Sequence, residues 1–492
     1  MKPLYLKNSQ PCLLDELPVA ADFPEFALEV RSLLSDSQCH CVNYFAFKAT
    51  GGLQMVMCIA KDNTSSIAVL SHLLEGAEVP SLQIEAVERF EREIAENYGV
   101  SFTGGAPLKP LRTAPDDYPF YRSANEEHHE VGVGPIHAGV IEPGHFRFTC
   151  EGEKILNLEI MLGYQHRGVE RLMLALPGLD RKALLAEDIA GDTAVGHSVA
   201  FASVIESLSG FSPSREMAFA RTLALELERI AIHTGDLSAI CGDVAYQLGN
   251  AVYGRLRTPI INFMQKWCGN RLGKTAVRPF EAPYPFTRAL AADLLKTLKA
   301  FEKDFNQVSS QVKHYPSVLS RLEKTGTVSY EDALAAGAVG MAARSSGLCR
   351  DIRKSHPYLL YDGTADTVVK HHGDVYSRTQ MRIEEVLNSV AFVRRLVAEW
   401  PFAEEGGAAF DTAGAGEEMA SDSLVVSLVE GWRGEICHAA ITGHDGQLIL
   451  YKVKDPSFHN WRMLELAVRN NEISDFPICN KSFNLSYCGH DL

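Results

Sequence analysis

Hydrophobic positions change their spacing along the chain, and the changes mark out its elements. "CVNYFAFKA" and "LQMVMCIA" are short apolar runs rich in β-formers, parted by Gly51-Gly52, which predicts a β-hairpin. Ile84, Val87, Phe90 and Ile94 then recur at helical spacing, with Gly99 placed to end the helix. The stretch "TGGAPLKPLRTAPDDYPFYR" has four prolines and no period, so it reads as an extended linker. Phe146, Phe148 and Cys150 alternate toward Glu151-Gly152 and Ile155–Ile160 return, a second hairpin. From about residue 168 to 400 the spacing is helical. In "SREMAFARTLALELERIAIHTGDLSAI" a stripe of Leu223, Leu227 and Ile230 leaves Glu226 and Arg229 off the apolar face. Acidic, aperiodic 404–422 reads as a loop insertion, and the alternating "SLVVSLVEG" and "LILYKVKD" read as strands.

These patterns predict an α+β protein. An N-terminal extension (1–24) precedes a small α+β domain (25–110), a linker (111–130) and a mainly helical domain (131–492) with small sheets at its two ends.

Charge narrows the function. With 47 Lys+Arg against 62 Asp+Glu the net charge is −15, so no broad positive field exists for nucleic acid. No apolar run approaches the ~20 residues that span a bilayer, and the N-terminus lacks a signal-peptide pattern. A cytoplasmic protein that reaches a membrane only through partners is expected. The 11 cysteines are scattered without a C-x-x-C pair, which suggests reduced, packed thiols. Cys39-His40-Cys41 alternates like a core strand. Near the end, Cys479, Cys488 and His490 gather as if around a metal, although Cys479 lies beside a strand-like "FPI".

Polar residues concentrate in three stretches: His137, Glu142 and His145; His166, Arg167, Glu170 and Arg171; and Asp188, Asp192 and His197. Glu187–Ser198 has helical length, which sets Asp188, Asp192 and Thr193 on one face. If that face is buried, the paired carboxylates raise each other's proton affinity and suit proton relay; if not, it is a solvated acidic face. The small residues Ala190, Gly191, Ala194 and Gly196 favour close approach of another element. "GYQHRGVERL" reads either as a capped helix start with surface charges or as part of the same site. His137 and His145 lack further ligands at metal spacing, so structural histidines are the simpler reading.

The same stretches carry a family resemblance. "GPIHAGVIEPGHFRF", "LGYQHRGVERLM", "ELERIAIHTGDL", "ARSSGLCRDIRKSHPYLLYD", "GDVYSRTQMRIEEV", "VEGWRGE" and "DPSFHNW" occur in that order. Together they resemble the large subunit of membrane-bound nickel–iron hydrogenases and the catalytic-arm subunit of respiratory complex I. "AVERFEREIAENYGVSFTG" resembles the small arm subunit of the same complexes, here fused in front. The resemblance implies a peripheral-arm subunit of an energy-converting, hydrogenase-related complex. Expected partners are an iron–sulfur subunit of the complex I type, further ferredoxin-like cluster subunits and membrane-embedded antiporter-like subunits.

The resemblance also implies what has been lost. Hydrogenases hold their metal with two C-x-x-C pairs; the first falls on Ala190 and Thr193, and near the second Asn484, Ser486 and Cys488 remain. Nickel–iron chemistry is therefore not expected, and no cofactor is expected on this chain, the iron–sulfur cluster belonging to a partner. Of the quinone-site residues of complex I, the second loop histidine falls on Pro143 and the tyrosine near Leu185, whereas His137 matches the first histidine. Glu142 matches a proton-transfer glutamate of hydrogenases. The resemblance suggests that Glu142, His166, Asp188, Asp192 and His197 relay protons. They would do so around a cavity walled by His137, His145, Arg167, Glu170, Ala190, Thr193, Arg433, Asn484, Ser486 and Cys488, in which a quinone or another small acceptor replaces the metal. The alternative is a subunit with a dead site that couples the complex structurally. His490 and Asp491 are expected to face a partner.

Overall fold

The computed structural model describes residues 1–136, 141–363, 366–402 and 418–492. Most of the 404–422 insertion, and His137, lie outside the described residues.

The N-terminal unit is built on one sheet. Strands β1 (Leu4–Leu6), β4 (Cys39–Ala49), β5 (Gly52–Lys61) and β6 (Ser66–Leu74) run in the order β1-β6-β5-β4, and β3 (Val19–Ala20) adds in parallel to β6. Helices α1 (Phe23–Leu34) and α2 (Glu85–Tyr98) cover one face through Phe26, Val30, Val87, Phe90 and Ile94. Asp22 caps α1 by accepting the Glu25 N–H, and Gly99, at φ +70°, ends α2. A short parallel pair, β7 (Glu78–Pro80) and β8 (Ser101–Thr103), frames α2.

The first 24 residues are not set apart from this unit. Leu6, Cys12 and Leu17 are buried, β1 and β3 belong to the front sheet, and β2 (Cys12–Leu13) pairs instead with a strand near the C-terminus. With so few residues per strand, no alternation was available in the sequence to reveal them.

β9 (His129–Val133), β10 (His145–Glu151) and β11 (Lys154–Met161) form an antiparallel sheet in the order β11-β10-β9. The predicted linker is tied down on the way there. Leu111 and Arg112 N–H groups donate to Glu96, and the Arg112 side chain reaches Glu93 and the His490 carbonyl.

The helical body follows: α3 (Val169–Ala175), α4 (Leu179–Glu187), α5 (Ala194–Leu208), α6 (Arg215–Asp243), α7 (Gln247–Cys268) and α8 (Arg288–His314). Four short helices, α9 (Pro316–Leu322), α10 (Tyr330–Ala335), α11 (Gly340–Ser345) and α12 (Ile352–Ser355), lead to α13 (Val375–Ala398). α6 is the axis, buried over most of its length against α5, α7 and α13. Among the described residues no helix is long and apolar enough to cross a membrane.

β12 (Ser423–Glu430), β13 (Glu435–Thr442) and β14 (Leu448–Lys454) close the chain's last sheet, ordered β14-β13-β12-β2. This sheet lies against the uncovered face of the front sheet: Leu424, Val426, Leu428, Cys437 and Ile441 share one core with Val42, Phe45, Val56 and Cys58. Both faces of β4 and β5 are thus buried, which explains their nearly unbroken apolar runs. The tail is helical, with α14 (Ser457–Ala467), α15 (Phe476–Phe483) and α16 (Tyr487–Asp491). Cys479 therefore lies on a helix, not beside a strand. His490 and Asp491 are buried rather than turned to a partner: His490 stacks on Phe458, and Asp491 accepts the Gly163 and Gln165 N–H groups.

Candidate functional site

The expected single helix over 187–198 does not form. α4 ends at Glu187, residues 188–193 make a turn in which the Thr193 N–H donates to the Ala190 carbonyl, and α5 starts at Ala194. The Glu228 carboxyl on α6 accepts the Val195 and Gly196 N–H groups at 2.8 and 3.3 Å, so the backbone donors freed at the new helix start are satisfied from outside. Burial, then the nearby Asp192 charge, push the Glu228 carboxyl up to about 8. Asp188 and Asp192 consequently share no face. Asp188 is exposed and pairs with Lys274, whereas Asp192 turns to Arg433.

Arg433, on the tight turn between β12 and β13, organises the site. Its guanidinium grips the Asp192 carboxylate at 2.6 and 2.7 Å, donates to Thr193 Oγ1 at 3.0 Å and to the Asn484 carbonyl at 2.5 Å, and lies 3.9 Å from the Trp432 ring centroid. The Trp432 indole N–H holds the Asp192 carbonyl at 2.8 Å. Asn484, at φ +49° between α15 and α16, passes the contact on: its side-chain amide donates to Asp236 at 2.7 Å, and Asp236 meets Arg382 at 2.7 Å. Arg382 in turn reaches His233 at 3.0 Å.

A second polar line starts at Glu142, which accepts the Tyr487 N–H at 3.3 Å. The Cys488 Sγ lies beside it and 3.4 Å from Ser486 Oγ. Burial and Glu142 push the Cys488 thiol up to about 12, so it stays protonated. Asp455, just after β14, follows: a Cβ on Gly489 would lie 2.9 Å from Ser486 Oγ and 2.7 Å from the Asp455 carboxyl carbon, so only glycine lets both groups pack this closely against the turn. His197 is next, its Nε2 at 3.1 Å from Asp455 and its Nδ1 at 3.0 Å from His438.

The remaining expected wall residues divide. Arg167 belongs, bracing the site with N–H bonds to the Asp188, Ile189 and Cys488 carbonyls. His166 stands next to it, its Nδ1 at 2.7 Å from the Asp491 carbonyl. His145 does not: it is on β10, where its ring packs on Phe120 of the linker. Glu170 does not either, since it is drawn to Lys452 at 2.8 Å and joins Glu93 and Arg112 in an ionic cluster between the front unit and the body.

Glu228, Asp236, His438 and Asp455 are the site residues that sequence reasoning missed. Three of them stand inside or beside quoted motifs, "ELERIAIHTGDL" and "DPSFHNW", which was the available signal. The apolar stripe on α6 instead assigned its polar residues to solvent. Glu226 and Arg229 are in fact fully buried, in a cluster with Arg344, Arg353, Asp351, Glu385 and Glu430.

A nickel–iron centre does not fit these residues. Ala190 offers a methyl group, Thr193 Oγ1 is engaged by Arg433, and Cys488 is a single thiol where such a centre takes four. What the arrangement offers is a dense line of acids, bases and hydroxyls.

Comparison with known proteins bears on what that line serves. Residues 249–411 match the family described as the 49 kDa subunit of the respiratory-chain NADH dehydrogenase. The chain is 24% identical to hydrogenase-4 component G of Escherichia coli, over 84% of this chain and 76% of that one. It is 26% identical to the membrane-bound hydrogenase subunit alpha of Pyrococcus furiosus, over 72% and 85%. The carbon monoxide-induced hydrogenase of Rhodospirillum rubrum is 25% identical, over 72% and 96%. In fold, the chain matches a protein of an archaeal membrane-bound sulfane sulfur reductase with a TM-score of 0.69 at 18% identity, over 75% of this chain and all of that one. Motifs, matches and fold agree in one direction: the chain is similar to oxidoreductase-complex subunits, among them the 49 kDa subunit of the respiratory-chain NADH dehydrogenase and subunits of membrane-bound hydrogenases.

Proposed function

We propose that this chain is the peripheral-arm subunit of a membrane-associated, ion-translocating oxidoreductase complex, and that its cavity handles protons and a small acceptor rather than a nickel–iron centre. The observation that supports this reading is the Arg433–Asp192 ion pair at the turn that holds Ala190 and Thr193, the positions to which the resemblance assigns the first cysteine pair. Multisubunit membrane complexes are the setting of its relatives. Electrons would arrive from an iron–sulfur cluster of a small partner subunit fed by ferredoxin-like subunits, on the cytoplasmic side, and antiporter-like membrane subunits would carry protons or sodium. In the cavity, Arg433 has one guanidinium N–H beyond its bonds to Asp192, Thr193 and Asn484 that can donate to a quinone or similar carbonyl acceptor, while the Asp192 carboxylate fixes the guanidinium in place. Glu142, Cys488, Ser486 and Asp455 supply the route by which protons meet the acceptor.

The test is to purify the complex and follow the partner cluster while quinones and other acceptors are offered to it. Arg433→Gln is expected to lower turnover at least tenfold with assembly intact. Stoichiometric nickel, or a cluster that no donor–acceptor pair oxidises or reduces, would refute the reading. The engagement of four of the five Arg433 N–H groups within the chain also favours a second reading, a structural coupling subunit with a dead site. That reading expects Asp192→Asn and Glu142→Gln to leave ion pumping unchanged.

A further inference from the structure

Beside the Arg433–Asp192 pair, four buried side chains form a hydrogen-bonded row that the proposed reaction does not yet use. Asp455 Oδ2 lies 3.1 Å from His197 Nε2, His197 Nδ1 lies 3.0 Å from His438 Nε2, and His438 Nδ1 lies 2.8 Å from the Tyr451 hydroxyl. All four residues are at most 1% exposed. They come from α5, β13, β14 and the segment after β14, so four separate parts of the fold are spent on one row. Ser457 N–H holds the other oxygen of Asp455 at 2.7 Å, which fixes the carboxylate.

We propose that this row is a one-proton store for the cavity, with His197 as the site that takes the proton, Asp455 as its counter-ion, and His438 and Tyr451 as positioning residues that follow it. The inference rests on reading the cavity as a proton-handling site.

The bookkeeping of hydrogens defines the device. In the unloaded state the Tyr451 O–H donates to His438 Nδ1, His438 Nε2–H donates to His197 Nδ1, and His197 Nε2–H donates to the Asp455 carboxylate; every link then has one donor and one acceptor. Loading adds one proton by a concerted shift along the row: the His438 Nε2 proton passes to His197 Nδ1, the Tyr451 proton passes to His438 Nδ1, and the added proton takes its place on the Tyr451 oxygen. His197 Nδ1 becomes a donor, so His438 Nε2 must accept, the His438 proton resides on Nδ1, and the Tyr451 oxygen accepts from it in place of donating to it. His197 gains one charge, His438 changes tautomer without changing charge, and no bond in the row is lost. A second proton is opposed because burial and a charged His197 both push His438 well below the ordinary histidine range. Asp455 stays ionised: burial pushes it up, but the His197 hydrogen bond and charge, and then Arg433, hold it below the usual carboxylate range. The ionisable groups that bear on the pair from the packed elements are Arg433 on the β12–β13 turn, Glu228 at the backbone immediately before His197, and Tyr451 on β14. Gly489, where a Cβ would collide with both, lets the Asp455 carboxylate and Ser486 Oγ pack against one backbone position, which sets the counter-ion end of the row beside Ser486 and Cys488.

Histidine ring nitrogens report this directly. The full-length chain, labelled with 15N histidine, is titrated from pH 9 to pH 5, with the two rings identified by loss of their signals in His197→Gln and His438→Gln. The store predicts that His197 becomes an imidazolium while His438 passes from the Nε2–H to the Nδ1–H tautomer at the same midpoint and stays neutral. Asp455→Asn should lower that midpoint by at least about 1 pH unit, because the counter-ion is gone. Tyr451→Phe should abolish the coupled tautomer change. A His438 tautomer that stays constant over the range, or two rings that charge independently, would overturn the store. Should a variant not fold, the wild-type titration decides alone. None of this requires electron transfer, so failure of the acceptor assay and failure of the store are separate results.

Discussion

Arg433 combines functions that a lysine cannot reproduce. Its planar fork meets both oxygens of Asp192 and still reaches Thr193 and the Asn484 carbonyl. Arg433→Lys keeps the charge and loses the fork, so a fall of about 1–2 kcal/mol in unfolding free energy is expected in denaturant titration. Glu228 makes a prediction in the pH dimension. Its folded pKa is raised to about 8, so the folded chain binds the proton more tightly than the unfolded one. Its contribution therefore stabilises at low pH and is lost as pH rises from the ordinary glutamate range through 8. Glu228→Gln mimics the protonated form, and its melting temperature should fall less between pH 5 and 8 than that of the wild type. Legibility was uneven at this scale. His197 stood out because it is a histidine near acids in a small-residue stretch. Its partners Asp455 and His438 are more than 200 positions away, a separation no local pattern encodes.

Elements were read well where the period was long and poorly where it was short. The β4–β5 hairpin, α2 with its Gly99 stop, the β10–β11 hairpin and the helical body follow from spacing alone. "FPI" looked like a strand because three apolar residues cannot distinguish a strand from a buried helix turn. The break at 188–193 was hidden because Glu228, remote in sequence, supplies the helix cap. Close contacts between elements are testable. Gly340 at φ +60° and Gly434 at φ +139° bring α11 against the β12–β13 turn, and a Cβ on Gly340 would lie 2.1 Å from the Gly434 Cα. Gly340→Ala should cost on the order of 3 kcal/mol, from left-handed strain plus backbone overlap. Gly191→Ala is the control: nothing lies within 4 Å of its Cβ, and a change within about 0.5 kcal/mol is expected.

At the scale of the whole molecule, the front unit is joined to the body by shared core and by buried charge. Glu93 of α2 meets Arg112 at 2.7 Å and Lys452 of β14 at 2.9 Å, and Glu170 completes the group. Burial pushes the Glu93 carboxyl up, yet Lys452 and Arg112 outweigh it and hold it down to about 2. That stabilisation is present above the ordinary glutamate range and is lost as pH falls from there toward 2. Glu93→Gln leaves two cations facing Glu170 alone, so a loss of about 3 kcal/mol is expected, with faster proteolysis in the 113–128 segment at neutral pH. The domain plan was legible as far as composition carried it. The sequence reading of β4 and β5 stopped at a hairpin, because nothing local named the C-terminal sheet as the layer that buries their second face.

The turn from Glu430 to Glu435 joins these scales. Glu430 is locked to Arg344, Arg433 to Asp192, and Glu435 to His40 of the front sheet at 2.7 Å. Mechanically, three anchors on six residues make a rigid lever with its fulcrum at the Gly340–Gly434 contact. The Arg433 guanidinium is thus held in register with both the helical body and the front sheet by contacts within one short turn.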